Sequence, residues 1–388
     1  MNVQRSIWWI VLMLATMACR RQEPVNPTIG ASERILFGMP TLSVESRSTF
    51  KNTLSTGDEF GVLGYCVPYK VGTTTIDYHS GKNPWVLKKA QCPPDVFYNQ
   101  RVVIGTNGCI YDRNGGTNNN PKYWYRDGYD TDNNQNAAIT ETEQYSYSFM
   151  AWYPYDDAFT IDKPSVATEN GAPILTFSMP QTGTDISEPL DHRNTPDAMV
   201  AVLYNRTKDD GNLCFNFSHV LTGLGFEVNN LSDYDLTVHE VSLGGSFYKD
   251  VTIDLTGYNV SYSFSNNRYT GSYVLLSSDL ALPAPAEGET VNSSGLIGGE
   301  HILLISGTGS SFGDNVAVTI SYTFNGRQTV QTIPRPGTFI PRPGVKYTAQ
   351  LNFVGDTFVL QFVVDNGEQW MDGAADDGNE DNDDIVFE

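Results

Sequence analysis

Cys19 is the residue of this chain best placed for covalent chemistry. Its thiol follows the small Ala18 and an apolar run, Ile7 to Ala18, with Arg5 just ahead. A cysteine in that setting is what a lipoprotein signal peptidase exposes, and its thiol then carries a diacylglyceryl anchor. As a helix the run would be about 18 Å long, well short of a bilayer core of ~30 Å. Residues 1–18 therefore read as a signal peptide and not as a membrane span. Thr16 stands where such signals usually carry Leu, so an ordinary cleaved signal is the competing reading. Residues 19–34 follow as a lipidated tether without hydrophobic periodicity.

Other constellations invite chemistry and support it less. Asp130-Thr131-Asp132-Asn133-Asn134 opens like a calcium loop, with Glu141 at the twelfth position. Gln135 replaces the glycine such loops need for their sharp turn, so a polar surface loop is the better reading. Tyr123-Trp124-Tyr125 could stack on sugar rings, but aromatics of this kind more often cap a core. His219 sits in an apolar run and reads as a satisfied core histidine. No nucleophile elbow, paired-histidine motif or catalytic carboxylate spacing stands out. No catalytic residue, metal ligand or cofactor is therefore expected. Cys66, Cys92, Cys109 and Cys214 show no CxxC spacing, which argues against zinc. Cys92 and Cys109 flank a loop-like region and could pair in an oxidising compartment. Cys66 and Cys214 read as buried thiols.

The elements that would carry these residues are strands. The 388 residues include 21 Tyr, 19 Phe, 35 Gly and 20 Pro, a balance of strand formers and turn formers. Val316, Val318, Ile320, Tyr322 and Phe324 alternate with polar or small neighbours, as do Tyr347, Ala349, Leu351 and Phe353. Phe358, Leu360, Phe362 and Val364 continue after a Gly355-Asp356 turn. Such alternation predicts antiparallel sheets with one buried face, and sheets must cover one another. The fold class is all-β. Two sandwich domains are expected, 35–208 and 209–371, divided at the polar Asn205–Gly211 stretch. Ile35, Phe37 and Met39 alternate, Pro40 interrupts, and Leu42 and Val44 resume, which predicts an edge strand over 35–47. Few strands can be placed between 70 and 135. An acidic tail, 372–388, closes the chain. The net charge of −21, from 24 bases and 45 acids, argues against nucleic acid and anionic lipid as partners.

Taken in order, these stretches resemble the fimbrillin family, the Mfa-like lipoprotein subunits of type V pili. The likeness lies in Gly57-Asp58-Glu59-Phe60-Gly61-Val62-Leu63-Gly64-Tyr65, in Phe149-Met150-Ala151-Trp152-Tyr153-Pro154-Tyr155 and in Phe215-Asn216-Phe217-Ser218-His219-Val220-Leu221. It extends to Trp370-Met371-Asp372-Gly373 and to Asp384-Ile385-Val386-Phe387-Glu388. The resemblance implies two transthyretin-like antiparallel β-sandwiches in tandem and a structural, adhesive role without enzymatic activity. It implies a lipid-anchored outer-membrane precursor, cut by an Arg-specific protease after its first strand. The vacated groove then takes a strand from another subunit. Arg47 follows that strand, whereas a cut at Arg34 would leave it in place, so Arg47 is the cleavage candidate. The donor candidate is Ile385, Val386 and Phe387 at the C-terminus. Implied partners are other pilin subunits, the outer membrane and a host or glycan receptor. The rival reading is a monomeric surface glycan-binding lipoprotein.

Overall fold

Alternation in the sequence becomes strands in the structure, a computed structural model. It describes residues 34–42, 53–67, 69–71, 74–76, 84–94, 96–111, 122, 124, 146–165, 171, 173–180, 188–307 and 312–369. The early strands are β1 (Thr41–Leu42), β2 (Glu59–Val67), β3 (Tyr69–Val71) and β4 (Thr74–Ile76). Among the described residues a helix, α1 (Pro84–Gln91), precedes β5 (Phe97–Gly105), β6 (Gly108–Tyr111), β7 (Ser146–Tyr153), β8 (Phe159–Ile161) and β9 (Ile174–Ser178). Next come β10 (Met199–Arg206), β11 (Asn216–His219), β12 (Thr222–Asn230), β13 (Leu236–Tyr248), β14 (Asp250–Asp254) and β15 (Ser261–Phe264). The chain continues through β16 (Arg268–Leu276), β17 (Leu280–Leu282), β18 (Asn292–Leu296) and β19 (Ile302–Leu304). The last strands are β20 (Gly313–Phe324), β21 (Arg327–Pro334), β22 (Val345–Val354) and β23 (Thr357–Gln369).

The first sheet has seven strands in the order β1-β11-β10-β7-β2-β5-β6. On one face Phe60, Val62, Phe97, Val102, Tyr111, Phe149, Met199 and Phe217 form a core. On the other, Leu63, Tyr65, Met150 and Trp152 enter a larger core that runs through the second half. With both faces covered, all eight residues of β7 are buried. That is why Phe149–Tyr153 reads as a continuous apolar run and not as an alternation.

The second half packs the sheet β18-β12-β22-β23 against β16-β13-β20-β21. β12 and β22 pair in parallel, and most other neighbours are antiparallel. Tyr322 and Phe324 of one sheet meet Phe353 of the other at ring centroid distances of 5.5 and 4.9 Å. The β20–β21 hairpin turns on Asn325 and Gly326, both at positive φ (50° and 74°). Such turns match the right-handed twist of the strands they join.

Sheet membership crosses the 208/209 line expected from composition. β11 lies beyond it yet pairs with β10 and β1 in the first sheet. A four-stranded sheet, β15-β14-β9-β8, draws its strands from both sides. The polar stretch expected to divide the domains ends β10 and continues into a local turn. Thr207 and Asp210 cap each other around a 3-10 turn at Lys208–Asp210, which satisfies the backbone groups locally.

Helix α1 sits where the halves meet. Pro84 occupies its first position, where a missing N–H costs nothing. Its Lys89 is fully buried and donates to Tyr204 Oη (2.9 Å), to Gly257 O (2.8 Å) and to Leu255 O. Burial pulls this ammonium down to about 7, with Asp254 opposing the shift. Trp85 Nε1 donates to Asn205 Oδ1 at 2.6 Å.

The first strand departs from expectation in part. Thr41–Leu42 (β1) lie at the edge of the seven-stranded sheet, as expected, but residues 35–38 ahead of them are bonded on both sides, as set out below. Met39 points outward, 41% exposed, because the alternation slips by one residue at Gly38–Pro40. The Cys92–Cys109 bridge is not formed, and both residues remain thiols. Cys92 follows α1, where its amide bonds Lys88 O, whereas the Cys109 Sγ donates to Gly38 O at 3.1 Å. Burial pushes the Cys109 thiol up to about 12, with Cys214 adding to the shift, so it is neither nucleophilic nor easily oxidised at neutral pH.

Candidate assembly groove

Residues 35–42 lie in a groove whose walls are β6 on one side and β11, with the residues just ahead of it, on the other. On the β6 side, Cys109 N donates to Phe37 O (2.9 Å) and Ile35 N donates to Lys122 O (2.8 Å). The Tyr111 hydroxyl donates to Ile35 O at 2.7 Å. On the β11 side, Leu213 N donates to Leu36 O (2.8 Å), Gly38 N to Leu213 O (2.9 Å) and Thr41 N to Phe215 O (2.8 Å). The segment runs antiparallel to β6, with Phe37 opposite Cys109, and parallel to β11, with Phe37 opposite Leu213. Near β1 the partners are Thr41–Asn216 and Leu42–Phe217. The offset between partners changes by one between Phe37 and Thr41. That slip accommodates Pro40, which has no N–H to give the ladder.

The groove is shaped by aromatic rings. Ile35 is fully buried and Phe37 is 2% exposed, while Leu36 between them is 37% exposed. The Phe37 ring meets Phe215 at 5.5 Å, Phe97 at 5.6 Å, Tyr111 at 5.7 Å and Phe149 at 5.9 Å. Gly38 permits the closest approach to the β11 side. A Cβ there would stand 2.6 Å from the Sγ of the exposed Cys214. Taking the segment away would open two strand edges at once and expose the floor of rings. Unpaired edges over apolar surface are a template for another strand.

The other residues singled out from the sequence fall as follows. Trp124 is buried, with its ring 4.8 Å from Tyr147, so it caps the core and offers no stacking face. His219 is a core histidine whose Nδ1 is 2.7 Å from the buried Asp197 carboxylate. Cys19, Arg47, the Asp130–Glu141 stretch and the donor candidates Ile385, Val386 and Phe387 lie outside the described residues. Among the described residues no helix is long and apolar enough to cross a membrane, and no cluster of His, Cys, Asp or Glu could hold a metal. The β6 wall of the groove was not foreseen, although Gly105-Thr106-Asn107-Gly108 is a hairpin signal between alternating Val102, Ile104, Cys109 and Tyr111.

Comparison with known proteins follows from this geometry. The structure resembles that of a fimbrial protein from Bacteroides vulgatus, with 14% identity over 80% of this chain and 93% of that one and a TM-score of 0.44. It also resembles the C-terminally truncated tip fimbrial protein Mfa3 of Porphyromonas gingivalis, with 10% identity over 86% and 98% of the two chains and a TM-score of 0.30. At such identities and scores these likenesses add nothing to an assignment. No curated protein sequence matches the chain. The sequence profile described as fimbrillin-like does match, over residues 109–364. The match takes in well over half of the chain, and the protein belongs to the fimbrillin-like family.

Proposed function

We propose that the protein is a structural, adhesive subunit of a surface fimbria that assembles by exchange of its first strand. In this reading it is exported under the signal at 1–18 and anchored to the outer membrane through lipid on Cys19. It is matured by an Arg-specific cut after Arg47, which frees residues 35–47. The vacated groove then takes a strand from another subunit, and the fimbria projects from the cell surface. The observation that carries this reading is the two-sided seat of residues 35–42. Three backbone bonds on the β11 side and two on the β6 side hold it, and its apolar anchors are almost wholly buried.

The energetics suit exchange and not simple loss. Burying Ile35 and Phe37 contributes roughly 1.5–3 kcal/mol each, and each backbone bond adds about 1 kcal/mol net. The sum is comparable with the net stability of an ordinary domain, about 5–15 kcal/mol. An emptied groove would be unstable until another strand filled it. The rival reading, a monomeric glycan-binding lipoprotein, loses the Trp124 platform on which it rested.

The experiment is limited digestion of the lipidated precursor by an Arg-specific protease, followed by denaturing electrophoresis without boiling. Cleavage after Arg47 should give ladders of stable polymers, and Arg47→Gln should remain monomeric. A cut chain that stays monomeric and folded would overturn the reading. Cys19→Ser should abolish palmitate labelling.

A further inference from the structure

The sheet β18-β12-β22-β23 has a covered face and an open one. Phe226, Val228, Leu351, Phe353, Phe358 and Leu360 enter the core, so the residues that alternate with them point outward. Register shows which of these lie together. Asn229 stands opposite Ser293 of β18 and Asn352 of β22, and Asn352 stands opposite Val359 of β23. One row back, Glu227 stands opposite Gln350, and Gln350 opposite Gln361. One row on, Leu231 follows Asn230, which pairs with Asn292 and Phe353, so it lies beside Val291 and Val354. Val291, Leu231, Val354 and Val359 are 41–50% exposed.

Single exposed aliphatic side chains are ordinary, whereas four neighbours on one sheet face are not. Amides continue the surface beside them. Asn229 Nδ2 donates to Asn352 Oδ1 at 2.9 Å, and Asn352 Nδ2 lies 3.5 Å from Gln361 Oε1. Glu227 is the one carboxylate among the positions named, and it accepts from the Ser293 hydroxyl. We propose that this face is a self-association surface, on which the same face of a second copy of this chain docks. In fimbriae, a consequence that rests on the assembly reading above, the contact joins filaments side by side.

Charge selects the occupant. The chain carries a net charge of −21, so two copies repel one another at long range. The open face holds aliphatic side chains, amides and one engaged carboxylate, and there two copies meet without burying an unpaired charge. An amide both donates and accepts, so a face that carries Gln350, Asn352 and Gln361 matches itself about a two-fold axis. Sheets pack face to face through such alternating side chains. A basic partner finds too little charge at these positions to recognise, and a sugar finds no aromatic ring among them to stack on. The surface is small, so one pair of faces associates weakly. Filaments that line up many such faces hold by multivalency.

Sedimentation velocity of the full-length, uncut chain provides the test. Cys19→Ser removes lipid as a cause of association, and without protease the first strand keeps its seat, so strand exchange does not contribute. Raising the concentration to about 1 mM should reveal a reversible dimer. Added salt should tighten it, because screening weakens the repulsion between acidic copies and no ion pair is lost. Val354→Asp with Val359→Asp should weaken it about tenfold or more. The milder Val354→Thr with Val359→Thr should weaken it less, and Val330→Asp, exposed on β21 of the other sheet, should leave it unchanged. A chain that stays monomeric throughout would overturn the inference, as would a dimer that the Asp pair leaves intact or that loosens as salt rises. Retention on a glycan array that the Asp pair abolishes would also overturn it, since the face would then take a sugar. Ladders from the cut wild-type protein without this dimer would overturn the lateral contact and leave strand exchange standing. The dimer without ladders would do the reverse.

Discussion

Phe37→Ala is the substitution that best measures how firmly the groove holds its occupant. The ring is 2% exposed and touches four others at 5.5–5.9 Å. Truncating a phenylalanine so enclosed costs about 3–5 kcal/mol, the lost transfer energy plus the cavity left behind. The Phe37 carbonyl bond to Cys109 N survives in alanine, so the loss reports the side chain alone. Urea unfolding of the uncut precursor, followed by tryptophan fluorescence, reads it, because Trp124 and Trp152 lie in or beside the first sheet. Leu36→Ala, on the outward face, serves as the control and should cost less than about 1 kcal/mol. The two effects should differ at least threefold, and Phe37→Ala should also hasten cleavage of the precursor by the Arg-specific protease. Equal effects from the two substitutions would refute the argument that an inward ring anchors the strand.

Two further outcomes follow from packing and charge. Gly38→Val crowds the β11 side and should destabilise the precursor by about 1–3 kcal/mol. Adding Cys214→Ala should recover part of that loss, since Sγ is the atom a Cβ meets, and no recovery in the double variant would count against the close approach. Lys89 titrates near 7 when folded and near its ordinary 10.5 when unfolded, so between those values the folded state holds fewer protons. Stability should therefore rise with pH across that window, by at most about 4–5 kcal/mol. Wild type minus Lys89→Met isolates this contribution in urea midpoints at pH 7 to 9.5, and parallel slopes would show that Lys89 is not responsible.

Legibility of the fold depended on how local each signal was. Val316–Phe324 and Tyr347–Phe353 announced themselves because one face of each strand is covered and the other is not, so the pattern is written in consecutive residues. β5 and β6 were hidden by the Gly-, Asn- and Asp-rich composition around them, even though Asn107-Gly108 marks their turn. The two-sided pairing of residues 35–42 was not legible at all. It depends on β6 and β11, more than a hundred residues apart in sequence, converging on the same segment. Pro40 suggested an edge because a proline cannot join a ladder, and the chain solves that by slipping one residue at Gly38. The shared sheet of β9 and β14 is similarly non-local, and the polar Asn205–Gly211 stretch read as a domain boundary because the residues that cap a turn are the types that also separate domains. Lys89 could not be recognised as buried from a short helix that carries two lysines and no acid. The anchors Ile35 and Phe37, by contrast, were visible in sequence.

The most direct test of the central claim is the N-terminal sequence of subunits taken from boiling-sensitive, denaturant-stable polymers on intact cells. If the first strand is the exchanged one, those subunits begin at Ser48 and contain no peptide from residues 35–47. Polymers whose subunits begin at Cys19 and still carry Ile35 and Phe37 would show that the groove never empties, and the account would be wrong.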